Sequence, residues 1–473
     1  MNFNTALFLF LFLPFFLIIY IFAQPRWRPV IGILASIVFY AWGSVGNLIL
    51  LCALILINYW VAWFMSSSPS KKWFLSLGLF VNLGALLFFK LFIAHGMNLF
   101  LGLDVYFPQR LTDWLNTITF PLGLSYICFQ LISYLFDAQK GTITSEKNFV
   151  AFAFYVLLFP KLLVGPIVRY SSVVGQLSAP VLNPHEMAGG IRRFLGGFAK
   201  KILIADVLAT VVDAVFGLPV EALTPFFGWL GLIAYALQIY FDFSGYTDMA
   251  IGLASMMGLR FTENFNFPYI AQSITDFWRR WHISLSTWFR DYVFYPLERR
   301  RIPVMGQSFN ILVVFLLTGL WHGVAVNLIA WGLLHGFFIV LEGLFLNRWL
   351  QKMIQPVRHF YTLVALLLTW LVFRAPSLDY VFQFLNLLIG NTQGQTQLAF
   401  ADTSPLPFID PSFVLALVAG IFLSLPLGQV IQKRLDKSLP LTVAGDILLF
   451  VLFILAVGFM TSSKFLPGIY GSF

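Results

Sequence analysis

The residues best suited to proton chemistry are six histidines, three of which cluster between 282 and 335. His322 stands in Thr318-Gly319-Leu320-Trp321-His322-Gly323, inside an uncharged apolar stretch from Phe309 to Leu334. An ionisable side chain in such a stretch is costly and usually has a role. Imidazole, with an unperturbed pKa of about 6.5, exchanges protons near neutrality. Position alone leaves two readings: a catalytic base, or a histidine hydrogen-bonded between packed helices. Gly319 and Gly323 allow close backbone approach and a local bend. His335, in Trp331-Gly332-Leu333-Leu334-His335-Gly336, repeats the pattern and reads as a packing residue or as a support to the site residues. His95, His185 and His359 lie near loops or span ends and read as interfacial.

The stretch Trp278 to Pro296, WRRWHISLSTWFRDYVFYP, gathers the next candidates. On one continuous helix, Trp278, Trp281, Leu285, Trp288 and Tyr292 share a face, and Arg279, His282, Ser286 and Arg290 share another. An interfacial helix would place the tryptophans in the headgroup belt and the arginines toward phosphates. A polar site admitting an anionic ligand would use Arg279, His282 and Arg290, and the two readings are compatible. A second cluster, Gln238 to Asp248, sets Asp242 and Asp248 with Ser244, Tyr240 and Tyr246 in a long apolar run. It reads as a buried hydrogen-bond network fixing a broken helix, with a paired proton-transfer site as the other option. Lys161 and Arg169 bracket Gly165-Pro166 and read as snorkelling span-end charges. No GxxxxGK[ST], HExxH or GxSxG pattern occurs, which argues against an ATP-driven pump, a zinc protease or a serine hydrolase. Cys52 and Cys128 lie in apolar runs and read as packing residues, and no spacing calls for a metal.

These residues must be carried by membrane helices. The chain is 59% hydrophobic and 10% charged, with a mean hydropathy of +0.85, against roughly 25% charged residues in soluble domains. A bilayer removes the need for a charged surface. The net charge of +9 sits in short loops between apolar runs, as in proteins oriented by a membrane. The first run, Thr5 to Ala23, lacks a basic leader and a cleavage site and reads as a retained helix. A span needs about 20 apolar residues, and Pro121, Pro160 and Pro166 interrupt three runs. The expectation is an all-α polytopic protein of about 10–13 transmembrane or re-entrant helices, as one membrane domain over 1–473. Its least hydrophobic stretches are 98–113 and 391–410. Arg26 and Arg28 after the first span, and Lys71 and Lys72 after the third, put the N-terminus outside and these loops inside.

Five segments in order resemble the membrane-bound O-acyltransferases: FPLGLSYICFQLISYLFD (120–137), FPKLLVGPIVRY (159–170), IYFDFSGYTDMAIGL (239–253), NFNFPYIAQSITDFWRRWHISLSTWFRDYVFYPL (264–297) and LTGLWHGVAVNLIAWGLLHG (317–336). Within that family they are most similar to the AlgI-like branch of alginate O-acetyltransferases, with the teichoic-acid D-alanylation protein DltB more distant. The resemblance covers about 30–375, leaving C-terminal helices at about 376–473, and the WRRWH and LWHG blocks carry most of its specificity. The chain departs from the branch's usual pattern at Arg290 to Arg301, RDYVFYPLERRR.

The resemblance implies helices around a central tunnel with a catalytic histidine near its middle. That histidine maps onto His322, and the secondary functional histidine onto His282. It implies that acetyl groups are taken from cytosolic acetyl-CoA and passed outward, usually to an extracytoplasmic partner transferase resembling SGNH hydrolases. That partner modifies a polysaccharide. The expected location is the bacterial cytoplasmic (inner) membrane. The expected reaction is acyl transfer from a thioester to a hydroxyl, with His322 taking the hydroxyl proton. An acyl-imidazole on His322 would use the same residue. His282 assists or holds the pocket, and Trp321 and Asn327 are candidates to orient His322. Arg279, Arg290 and Arg299 to Arg301 are candidates to bind the donor phosphates. Acetyl-CoA is a substrate, with no metal and no permanently bound cofactor expected. The rival class is a transporter or flippase of a lipid-linked saccharide, which scattered polar residues and Pro/Gly breaks also fit. Retention of both histidines argues against an inactive scaffold.

Overall fold

The computed structural model describes residues 1–93, 120–299, 306–391, 409–428 and 438–462. Among them helix is the regular structure and no strand occurs. The described residues fall into two compact units.

The first unit comprises Met1–Phe194 and Thr247–Glu263. Its helices are α1 (Leu13–Phe22), α2 (Arg28–Ala41), α3 (Val45–Ser67), α4 (Lys71–Leu87), α5 (Leu124–Lys140), α6 (Phe149–Leu157), α7 (Tyr170–Leu177) and most of α8 (Pro184–Ala199). Local chemistry sets the ends: the Ser44 hydroxyl accepts from the Asn47 amide before α3, and Asn148 accepts from the Val150 and Ala151 amides before α6. Gly123 opens α5 at φ 75°, where a Cβ would run into the Leu162 carbonyl, so only glycine fits. Polar side chains inside pair with one another, as apolar surroundings demand. Asn58 and Asn82 exchange amide hydrogen bonds of 3.2 and 2.7 Å between α3 and α4. Arg28 is buried and donates to the carbonyls of Pro180, Tyr20 and Ile21. Lys161 does not snorkel: it is 1% exposed, bonds Gln130, and stands 4.4 Å from the centroid of the Tyr155 ring.

The second unit comprises Leu195–Tyr246 and Asn264–Ile469. It holds α9 (Val207–Gly217), most of α10 (Pro225–Met256), α11 (Ile274–Arg280), α12 (Ile283–Phe289), α13 (Tyr295–Arg299), α14 (Gly306–His322), α15 (Val326–Leu341), α16 (Gln355–Arg374), α17 (Leu378–Leu388), α18 (Pro411–Leu423) and α19 (Leu439–Ser462). The run from 225 to 256 is unbroken, against the expected break near Asp242. The two carboxylates expected to form one network serve separate ion clusters. Asp242 and Asp206 both lie 2.5 Å from Lys201 in the second unit, while in the first unit Asp248 pairs with Arg193 at 2.9 Å.

Six helical segments are long and apolar enough to cross a membrane: Val45–Ser67, Lys71–Lys90, Pro225–Met256, Val326–Leu350, Gln355–Arg374 and Leu439–Thr461. Four shorter apolar helices accompany them, at Phe8–Phe22, Phe149–Lys161, Leu378–Leu388 and Pro411–Leu423. The protein is an all-α, polytopic membrane protein. His95, Arg300, Arg301 and most of the two weakly hydrophobic stretches lie outside the described residues.

Candidate active site

Glycines bring α14 and α15 together. A Cβ on Gly319 would sit 2.7 Å from the Leu328 carbonyl oxygen. One on Gly332 would run into the Phe315 carbonyl and lie 3.0 Å from Gly319 Cα, and one on Gly336 would lie 3.0 Å from Phe315 Cβ. Gly332 and Gly336 are four residues apart on one face of α15, the small-residue spacing that lets membrane helices approach closely. The approach leaves His322, the last residue of α14, 4% exposed. Its imidazole is walled by Trp321, Trp331 and Phe373, with ring centroids 4.7, 5.0 and 5.2 Å away.

Below His322 on the same helix lies a cavity of about 660 Å³. Its wall from α14 is Ile311, Val314, Phe315 and Thr318, spaced as one helix face. His322 continues that face, one turn and about 6 Å beyond Thr318. The opposite wall includes Trp278, Arg279, Leu285, Ser286 and Arg290. Both arginines chosen from the sequence therefore line one cavity, and both are exposed. Arg290 bonds its neighbour Asp291 at 2.8 Å.

They reach it by a route the periodicity did not give. The single helix expected over Trp278 to Pro296 is three short helices. α11 stops at Arg280, His282 takes a left-handed conformation (φ 42°, ψ 54°), and a π turn over Arg290–Phe294 separates α12 from α13. Trp278 and Leu285, expected on a different face from the arginines, line the cavity with them.

His282 turns toward Asn264. The Asn264 Oδ1 receives the Ser284 amide (3.1 Å) and hydroxyl (2.8 Å) and lies 3.1 Å from His282 Nδ1. An atom that takes a backbone N–H is an acceptor, so His282 Nδ1 donates and Nε2 is the basic nitrogen. Backbone bonds Asn266 N to Arg280 O and Ile283 N to Asn264 O, both 2.9 Å, hold the break from each side. His282 is 1% exposed, and burial pushes its pKa down to about 3. Trp321 lies beside both histidines, 6.1 Å from His282 and 4.7 Å from His322 between ring centroids. His335 is fully buried, and its Nδ1 accepts from the Trp278 indole N–H at 3.2 Å.

The family comparison decides the class. The model of the membrane-bound O-acyltransferase family matches residues 49–382. The chain belongs to the membrane-bound O-acyltransferase family. A protein of Pseudomonas putida named "Probable alginate O-acetylase AlgI" is 36% identical over 500 aligned positions covering 100% of both chains. A peptidoglycan O-acetyltransferase of Helicobacter pylori is 33% identical over 82% of this chain and 80% of its own. A teichoic acid D-alanyltransferase of Bacillus subtilis is 32% identical over 54% of this chain and 67% of its own. The protein is thus a membrane enzyme, an O-acyltransferase.

In this acyltransferase the cavity gathers Arg279 and Arg290 with the α14 residues Ile311, Val314, Phe315 and Thr318, on the helix face that ends at His322, while His282 stands at the break between α11 and α12. Asn327, weighed as a partner for His322, donates instead to the Ala375 carbonyl at 2.8 Å. Sequence reasoning assigned no role to Asn264 or Glu342. Asn264 lies in a quoted motif without a distinguishing feature. Glu342 was detectable as a lone carboxylate in the apolar run Leu333 to Leu346.

Proposed function

We propose that this acyltransferase takes an acetyl group from cytosolic acetyl-CoA, with His322 as the base, and passes it outward to a hydroxyl acceptor, from which a partner protein O-acetylates a polysaccharide. The observation carrying the reading is the single face of α14 that lines the cavity at Ile311, Val314, Phe315 and Thr318 and ends at His322. Arg279 and Arg290 in the cavity wall suit the phosphates of the donor, and Ile311, Val314 and Phe315 on the α14 face that ends at His322 suit its uncharged arm. In the reaction His322 accepts the attacking hydroxyl's proton as the oxygen–carbon bond forms. The carbon–sulfur bond then breaks, and the proton passes to the leaving thiolate, giving free coenzyme A. A hydroxyl is a weak nucleophile at neutral pH, so this base is the main requirement.

The names of the relatives support a polysaccharide acceptor, since alginate and peptidoglycan both carry sugar hydroxyls. We assign the final transfer to an extracytoplasmic partner of SGNH-hydrolase type, and the enzyme to the bacterial inner membrane with its N-terminus outside. The test is release of coenzyme A thiol from acetyl-CoA by purified protein with acceptor. Arg279→Ala with Arg290→Ala is expected to raise the KM for acetyl-CoA and to flatten its dependence on salt, because the attraction that salt screens is gone. No thiol release, or an unchanged KM in the folded double variant, overturns the donor assignment.

A further inference from the structure

Glu342 is a buried carboxylate, 3% exposed, at the end of α15. Its oxygens accept from the Ile274 amide (2.6 Å), the Thr275 amide (2.9 Å), the Thr275 hydroxyl (2.6 Å) and the Tyr361 hydroxyl (3.2 Å). Ile274 and Thr275 are the first two residues of α11, so Glu342 receives two of the amides a helix start leaves unsatisfied. Ser273 already caps this helix, accepting from the Asp276 amide at 3.0 Å, and a local cap would suffice for helicity. A carboxylate reaching from 67 to 68 residues away does something a local cap does not: it fixes where α11 stands against α15.

A second tie lies two turns earlier on α15. His335 Nδ1 accepts from Trp278 near the other end of α11. The indole N–H only donates, so His335 holds its proton on Nε2 and its Nδ1 lone pair toward Trp278. Residues seven apart share one helix face, so α15 grips α11 at its start and at its end. Between and beside these ties stand Trp278 and Arg279, both in the cavity wall. The same α15 packs by Gly332 on α14, so the two ties fix Arg279 relative to the helix that carries His322.

We propose that Glu342 is a positioning residue for the acyl donor, clamping α11 to α15 together with His335 so that Arg279 stays in the cavity wall. The proposal rests on the reading of that cavity as the donor site. A catalytic defect would lower kcat, whereas a lost clamp weakens donor binding. Glu342→Ala removes a charged partner of two buried amides and is expected to raise the KM for acetyl-CoA on the order of tenfold. Its kcat at saturation and its pH profile stay close to wild type. Glu342→Gln keeps the shape but sets an NH2 donor against one of the two amides, so its KM is expected between wild type and Glu342→Ala, and a wild-type KM in Glu342→Gln counts against the clamp if Glu342→Ala fails to fold. In an Arg279→Ala background Glu342→Ala adds no further rise, because the clamp acts through Arg279.

Hydrogen exchange gives a reading independent of the donor. Amides of Ile274 and Thr275 exchange faster in Glu342→Ala, while those of α14 do not change. Faster exchange with an unchanged KM, full additivity with Arg279→Ala, or a loss confined to kcat overturns the proposal. If Arg279→Ala alone leaves KM unchanged, the donor-site reading fails, and exchange at Ile274 and Thr275 still judges the clamp.

Discussion

His322 and His282 flank the same indole, but the structure equips them differently. His322 ends the helix face that lines the cavity, whereas His282 is committed through Nδ1 to Asn264. General-base catalysis is typically worth 10²–10⁴-fold, so His322→Ala is expected to reduce acetyl transfer by about that factor in folded, monodisperse protein. His282→Ala should cost less, and His335→Ala should show mainly in KM. If folded His322→Ala keeps near-wild-type turnover, the base has been misassigned. His282 makes one contribution to the pH dependence of stability. Its pKa in the fold, about 3, lies below the ordinary 6.5, so the unfolded chain binds the proton first. Its contribution is complete above pH 6.5 and is lost as pH falls from there toward 3. Thermal melts in detergent should decline over that window, and His282→Gln, which removes the titrating group, should decline less steeply.

At the scale of the helix, the telling feature is the stop at Arg280. Periodicity draws one helix through Trp278 to Pro296 because its aromatic and basic residues recur at helical spacing. The break comes from a histidine in the left-handed region, where no glycine advertises it, and it is held by Asn264, 18 residues upstream. Non-local bonds of this kind leave no periodic trace. The arginines stand out in the sequence because charge in apolar surroundings is rare, and both line one cavity, although they do so across a break at His282 instead of on one helix face. The glycines around His322 were legible too, and the structure gives the reason: at Gly319 and Gly332 there is no room for a Cβ. Left-handed backbone costs an ordinary side chain roughly 1–2 kcal/mol, and Asn tolerates it better. His282→Asn is therefore expected to melt above His282→Val, the β-branched residue bearing that cost in full. Equal midpoints would mean the bend is not set by this residue.

For the molecule as a whole, the membrane does much of the work that a charged surface does in water. Within Leu439–Thr461, only 11% of the apolar window is buried by protein, and Ile447, Phe450, Ile454 and other apolar side chains are exposed. Such a span is held by lipid more than by its neighbours. Multi-pass character was plain from composition, because six long apolar helices cannot be disguised by loops. Orientation rests on the basic loops alone. Ser67 is exposed at the end of α3, and a cysteine placed there is expected to react with a membrane-impermeant maleimide only after the cytosolic face is opened. Cys128 is buried and Cys52 half-buried, so replacing both gives a quiet background. Labelling of intact cells at Ser67→Cys would reverse the assigned topology.

Arg290 stands beside Asp291 with 2.8 Å between nitrogen and oxygen, whereas Arg279 makes no hydrogen bond or ion pair among the described residues. The two cations therefore offer an incoming anion different terms. Arg279 gains a partner outright. Arg290 has to exchange one, and Asp291 stands ready to take it back. An internal competitor of this kind weakens capture and hastens release, which suits the proposed donor, whose spent form has to leave on every cycle. Asp291→Asn removes the competitor's charge. It is expected to lower the KM for acetyl-CoA and to strengthen inhibition by free coenzyme A, both measurable in one product-inhibition series.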